Sequence, residues 1–208
     1  MPNARLPFRV LVITDEHACA RVSRGVVETI ARALWPSAPG VAVLVRAPDR
    51  SLEDVRVLCA ALQPIARRAQ ALLLVHTHVQ LVGALGLHGA HVNAHTDVRE
   101  ARAQLPAGAL LGASRHDGDP LDEEALTSLD YVTLSPLFAP SSKPASTAHA
   151  RATWGVAALG RASAKPLVAL GGINERRAAA CFRAGADAVA VIGAVMHAHD
   201  PRRALLEL

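Results

Sequence analysis

Residues 166–195 read PLVALGGINERRAAACFRAGADAVAVIGAV. An apolar run, Pro166–Leu170, stops at Gly171-Gly172. Glu175, Arg176 and Arg177 follow and open an alanine-rich helical stretch that ends at Gly185. A second apolar run, Ala188–Ile192, stops at Gly193. The order is strand, glycine turn, helix, strand, glycine turn. Both runs are apolar with little alternation, the pattern of strands buried on both faces of a parallel sheet. Glycines at the C-terminal ends of two such strands let a ligand approach the backbone closely. Free N–H groups there, at or near helix N-termini, suit an anion such as phosphate. Gly171, Gly172, Gly193 and Ala194 are therefore the candidate phosphate-binding residues.

The same unit recurs toward the N-terminus. Further strands are expected at Phe8–Thr14, Val41–Val45, Ala71–Val75, Gly89–Asn93, Ala109–Ala113 and Tyr131–Leu134. Helical segments are expected near Val22–Leu34, Ser51–Ala69, Val79–Leu85, Val98–Gln104, Leu121–Leu129, Trp154–Ser163 and Arg202–Leu208. Ser51 reads as an N-cap, with Glu53 and Asp54 in the first turn. Strand alternating with helix implies a parallel sheet with right-handed crossovers. Eight such units predict an α/β fold, a single (β/α)8 TIM barrel over residues 1–208. Such barrels usually run to about 250 residues, so a compact barrel without added domains is expected. An open doubly wound sheet would gather its polar residues at one switch point. Here they follow nearly every strand, which fits a barrel mouth better.

With 51% hydrophobic residues and only 3% aromatics, the core has to be built from Val, Leu, Ile and Ala. The net charge of +4 is mild, and the arginines are scattered along helices; no nucleic-acid partner is expected. Cys19, Cys59 and Cys181 show no paired or metal spacing. With no signal-peptide pattern and no apolar run of membrane length, a cytoplasmic, non-membrane location is expected. Apolar helix faces are compatible with a homodimer.

Chemistry in a barrel belongs to the strand C-termini. Thr14, Asp15, Arg46, His76, His78, Asn93, His95, Ser114, His116 and Lys143 all lie there. Of ten histidines, six (His17, His76, His78, His91, His95, His116) lie within or just after a predicted strand end. Imidazole can move a proton near neutral pH. His91, inside its strand, reads as a satisfied core residue. His76 and His78 would share a face if the strand continued, but no third metal ligand is set by spacing. His116, with Ser114 two residues before it, is the best catalytic candidate. Arg46, His76, Asn93 and Lys143 are candidate substrate contacts, and no metal site is expected.

GASRH (112–116), DYVTLSPLF (130–138) with Lys143, ALGGIN (169–174) and AGADAVAVIGAV (184–195) resemble the thiamine phosphate synthase / TenI-type thiazole tautomerase superfamily. The resemblance implies a (β/α)8 barrel that handles phosphorylated precursors of thiamine. It implies a phosphorylated thiazole as the small-molecule partner, phosphate on Gly171, Gly172 and Gly193, and a substrate contact from Lys143. The synthase branch joins hydroxymethylpyrimidine diphosphate to a thiazole phosphate. It carries a Gln-x-Arg-x-Lys pattern after strand two, where this chain has Leu44, Arg46 and Pro48. Its magnesium carboxylates follow strands three and four, where this chain has His76-Thr77 and Thr96, with Asp97 one position off. The tautomerase branch needs no metal and uses a histidine after the fifth-strand serine as acid/base, the place of His116. HVNAHTD (91–97) is closer to that branch. The expectation is therefore a tautomerase-like proton transfer without cofactor. In that reading Arg46 or Lys143 binds the carboxylate, His116 shuttles the proton, and Ser114 orients substrate or imidazole. The alternatives are a synthase, with Mg²⁺ only in that case, and a non-catalytic thiazole or thiamine phosphate-binding barrel.

Overall fold

The computed structural model describes residues 5–115, 123–139, 153, 155–160 and 165–208. Eight parallel strands close into a barrel in sequence order: β1 Val10–Ile13, β2 Val41–Val45, β3 Leu72–His76, β4 Gly89–Val92, β5 Leu110–Arg115, β6 Tyr131–Leu134, β7 Leu167–Leu170 and β8 Ala188–Val191. The closing pair is β1 with β8, in register Val10↔Val189 and Val12↔Val191. Around the strands lie α1 Glu16–Ala20, α2 Val26–Leu34, α3 Leu52–Ala69, α4 Gln80–Leu85, α5 Val98–Ala103, α6 Glu123–Thr127, α7 Glu175–Arg183, α8 Gly193–Met196 and α9 Pro201–Leu206. The expected (β/α)8 barrel is the observed fold.

The strands read as continuous apolar runs because both faces are buried. Val10, Val12, Val43, Val75, Ala113, Val132 and Ala169 face the helices and join the outer core. The alternate residues Leu11, Ile13, Ala42, Leu44, Leu74, Tyr131, Val168, Ala188 and Ala190 fill the barrel interior with Phe8. The expected aliphatic core is thus observed in both layers, with two aromatics added at the centre. There Tyr131 and Phe8, both essentially inaccessible to solvent, meet edge to face with ring centroids 5.4 Å apart. Such a pair contributes about 0.5–1.5 kcal/mol beyond its area.

Local chemistry explains five of the helix starts. Ser51 and Asp54 form a reciprocal capping box at α3, as their spacing predicts. Asp15, Asp97, Asn174 and Asp200 cap α1, α5, α7 and α9 with side-chain oxygens on backbone N–H groups. Each cap stabilises its helix by about 1 kcal/mol. The helix expected near Val22–Leu34 is observed from Val26 on, as α2; a separate short helix, α1, precedes it across a turn in which Ser23 takes φ 52°. Asp15 starts α1 early, and Gly25 restarts the chain as the N-cap of α2. In the segment expected to be helical near 154–163, Val156–Gly160 form a 3-10 turn; residues 161–163 and Trp154 are outside the described residues. The third strand runs one residue further than expected, to His76, and stops because Thr77 takes a left-handed φ of 62°. His76 and His78 consequently do not share a strand face. No helix among the described residues is long and apolar enough to cross a membrane.

Candidate active site at the strand C-termini

The described polar groups at the C-terminal ends of the strands start with Thr14, fully buried at the end of β1. Its hydroxyl accepts from the Arg46 N–H at 2.8 Å and donates to the Arg46 carbonyl at 3.0 Å. This two-way clasp sets the backbone of Arg46, the residue after β2. Asp15 Oδ1 accepts from the Ala18 N–H, and Asp15 Oδ2 lies 3.9 Å from the Arg46 guanidinium. That ion pair is partly exposed and contributes little to folding. Its effect is to hold a cation at the rim.

His76 of β3 and His91 of β4 are register partners, with ring centroids 6.4 Å apart and planes 25° from parallel. His91 is buried and its ring is bonded at both nitrogens. Nδ1 lies 3.3 Å from the Tyr131 hydroxyl and Nε2 lies 3.1 Å from the Ser114 hydroxyl. Burial, followed by the neighbouring His76, holds the His91 imidazole down at about 3. Burial, then Arg46 and His78, holds His76 at about 4. Both rings are neutral at physiological pH.

These depressed values have a stability consequence. An unfolded histidine titrates near 6.5 and these folded ones titrate lower, so the unfolded chain takes up protons first as pH falls. The stability they support is complete above about 6.5 and is lost below it, at about 1.4 kcal/mol per pH unit for each histidine. Urea midpoints should show wild type losing about 2 kcal/mol per histidine between pH 7 and pH 5. His91→Gln and His76→Gln should each flatten that slope. An equal slope in all three proteins would contradict the assignment.

The glycine turn after β7 adopts φ 101° at Gly171 and φ 62° at Gly172. Its tightness comes from the loop after β6. A Cβ at Gly171 would sit 2.7 Å from Pro136 Cα, and one at Gly172 would sit 2.7 Å from the Ala139 carbonyl oxygen. Arg177, in the first turn of α7, donates to the Gly172 carbonyl at 2.6 Å and lies over the Phe138 ring. After β8, a Cβ at Gly193 would sit 2.5 Å from Cε1 of His197. Glycine at these three positions thus has a packing reason as well as the proposed phosphate one; Ala194 follows within α8. Gly172→Ala should cost about 1–2 kcal/mol from the left-handed backbone alone, visible as a lowered urea midpoint. An unchanged midpoint would show that the turn relaxes.

The other predicted positions divide. Ser114 is at the inward end of β5, bonded to His91. Asn93 is exposed, and its Oδ1 is occupied locally by the His95 N–H and the Thr96 hydroxyl; the side-chain carbonyl thereby shapes the fourth loop. His116 and Lys143 lie outside the described residues. Cys19 is buried and donates to the Thr29 hydroxyl at 3.5 Å, with burial pushing its thiol up; it is a packing residue. His91 is the satisfied core residue expected, and its ring ties Tyr131 to Ser114. Alternation along β6, which turns Tyr131 inward opposite Gly112, was the available signal.

A magnesium ion held by the protein needs hard oxygen donors, usually one or two carboxylates. The donors do not fit it. The third-strand end offers imidazole and Thr77. Asp97 accepts from the Arg99 and Glu100 N–H groups as a helix cap, and Asp15 is held between α1 and Arg46. Among the described residues no three His, Cys, Asp or Glu side chains gather as a metal site.

The fold is that of a (β/α)8 barrel, and these strand-end groups make its C-terminal mouth the candidate site. A family model described as "Thiamine monophosphate synthase" matches residues 10–195. The thiamine-phosphate synthase of Methanoculleus marisnigri is 36% identical over 199 residues, covering 93% of this chain and 90% of that protein. That of a Psychrobacter species is 32% identical, with coverages of 93% and 90%. A solved thiamine phosphate pyrophosphorylase from Pyrococcus furiosus superposes with a TM-score of 0.79 at 26% identity, covering 97% of this chain and 94% of that one. A 3-hexulose-6-phosphate synthase at 16% identity and TM-score 0.66 shares the fold. The chain belongs to the thiamine monophosphate synthase family and is an enzyme of thiamine biosynthesis.

Proposed function

We propose that the chain is a thiamine-phosphate synthase, joining hydroxymethylpyrimidine diphosphate to a thiazole phosphate with release of pyrophosphate. The observation that carries this reading is the match, along nine-tenths of both chains, to relatives named thiamine-phosphate synthase. The described site supports it chemically. The thiazole nitrogen forms a bond to the pyrimidine methylene carbon while the carbon–oxygen bond to diphosphate breaks. The pyrophosphate leaves with the electron pair, and the nitrogen becomes a quaternary cation. No proton moves in that step, so the neutral His76 and His91 suit it. It needs preorganised positive charge where the diphosphate departs, which Arg46 supplies at the rim. The glycine turns at Gly171, Gly172 and Gly193 would seat the thiazole phosphate, and Ser114 would donate to substrate.

A second reading is the tautomerase proton transfer, with His116 as acid/base. It is favoured by the donor set at the third and fourth strand ends, which does not fit magnesium. A paired assay separates them. One arm supplies the pyrimidine diphosphate and thiazole phosphate, with and without Mg²⁺, and follows thiamine phosphate and pyrophosphate. The other supplies the non-aromatic thiazole tautomer without metal and follows aromatisation. Turnover in the first arm is the expected result. Turnover confined to the second, abolished by His116→Ala, would replace the synthase reading; silence in both would overturn the two together.

A further inference from the structure

We propose that Tyr131 and His91 form a buried relay that sets the Ser114 hydroxyl as a hydrogen-bond donor toward a substrate acceptor atom. This rests on the reading above that Ser114 faces substrate. Tyr131 is inaccessible to solvent, and the partner of its hydroxyl among the described residues is His91 Nδ1. A neutral imidazole carries one proton on two nitrogens. If Nδ1 held it, the Tyr131 hydroxyl hydrogen would be left in the core with no acceptor, a costly arrangement. With Tyr131 donating to Nδ1, the proton sits on Nε2 and is donated to Ser114 Oγ. The Ser114 oxygen then has its acceptor role filled by His91, and its own hydrogen is free to point at a ligand.

Three further observations fit a polar floor built for a ligand. Burial keeps both groups in the required state, raising the Tyr131 phenol and depressing His91. The parallel faces of His91 and Tyr131, with centroids 5.5 Å apart and planes 27° from parallel, limit rotation of the imidazole. Thr133 is the register partner of Ser114 and lies on the inward face of β6 by alternation from Tyr131. It is buried, and its hydroxyl has no partner among the described residues. Two adjacent hydroxyls, one with an imposed donor and one uncommitted, read an acceptor such as a ring nitrogen or a phosphate oxygen. His91 and Tyr131 are positioning residues in this scheme; neither needs to touch substrate.

The test has a spectroscopic arm and a kinetic arm. Long-range ¹H–¹⁵N spectra of ¹⁵N-histidine-labelled free protein report which His91 nitrogen is protonated. The expected result is Nε2–H in wild type and a mixture in Tyr131→Phe, which keeps the ring and loses the donor. Kinetically, Tyr131→Phe should lower kcat/KM about 10-fold, with kcat carrying most of the loss. Ser114→Ala should lower it about 10–100-fold, and Tyr131→Phe should add less than 2-fold in the Ser114→Ala background. Independent multiplication of the two effects would overturn the relay, as would Nδ1–H in wild type. The wild-type spectrum needs no substrate, so it decides the relay even if the condensation assay is silent and the synthase reading fails. In that case Ser114 donation is read as loss of thiazole phosphate affinity in Ser114→Ala by calorimetry, and unchanged affinity would overturn it.

Discussion

Arg46→Ala lowers kcat/KM for the condensation by about 10²–10³-fold, the range seen when a preorganised charge-stabilising group is removed from a reaction centre. Its cause lies in the geometry of β1 and β2. The rise of negative charge on a departing pyrophosphate has to be met by positive charge already in place. Arg46 is the cation at the rim, and the Thr14 clasp sets the backbone from which its side chain extends. Its partner Asp15 has Oδ1 committed to the Ala18 N–H and reaches the guanidinium only at 3.9 Å, so it holds the cation without fully cancelling its charge. Arg46→Lys restores the charge without the planar fork and should recover only part of the loss. Thr14→Val keeps the guanidinium but removes both clasp bonds; a fall of about 10-fold is expected, as for a misplaced catalytic group. The side chain of Arg46 is about one-third exposed, so thermal stability of Arg46→Ala should stay close to wild type. Steady-state kinetics with the pyrimidine diphosphate varied decides the matter. A change below about 2-fold would remove Arg46 from the site.

Gly112→Ala destabilises the fold by about 3 kcal/mol, the upper part of the range for overpacking a filled core. Gly112 faces Tyr131 across the β5–β6 register, and an added Cβ would clash with the hydroxyl end of the Tyr131 ring at Cζ and both Cε atoms. The ring is held on its other side by Phe8 and is stacked on His91. With no free direction to move, the clash is taken up by the backbone or by an off-rotamer tyrosine. Thermal unfolding should drop by roughly 6–12 °C for a chain of this size. The cause is pairwise, so a double-mutant cycle exposes it. In a Tyr131→Leu background the same Gly112→Ala change should cost less than about 1 kcal/mol. Equal costs in both backgrounds would mean that the glycine is needed for strand geometry and not for the ring. Gly112→Ala should also impair turnover of the folded fraction, since moving Tyr131 disturbs the bond to His91.

The barrel and its mouth were determined at the level of sequence, because both depend on local patterns. Apolar runs of four to seven residues, punctuated by glycine or polar residues and alternating with helix signals, leave few architectures open. The motifs around Gly171, Gly172 and Gly193 carried the family. Caps such as Ser51 with Asp54 were readable because a cap and its N–H lie within one turn. The tertiary structure alone decided what depends on side chains distant in sequence. Tyr131 and His91 are 40 residues apart, and His91 and Ser114 are 23 apart. Nothing in either segment says that their polar atoms meet. Thr14 clasping Arg46 across 32 residues and Gly172 closed by the Ala139 carbonyl are of the same kind. Asp97 illustrates the converse: the resemblance places it one position off a magnesium carboxylate, and the fold commits it to the start of α5. Which strand end meets which, and which polar atom is already occupied, follows from closing the barrel. Closure sets the inward register of every strand at once, and no single strand carries that information.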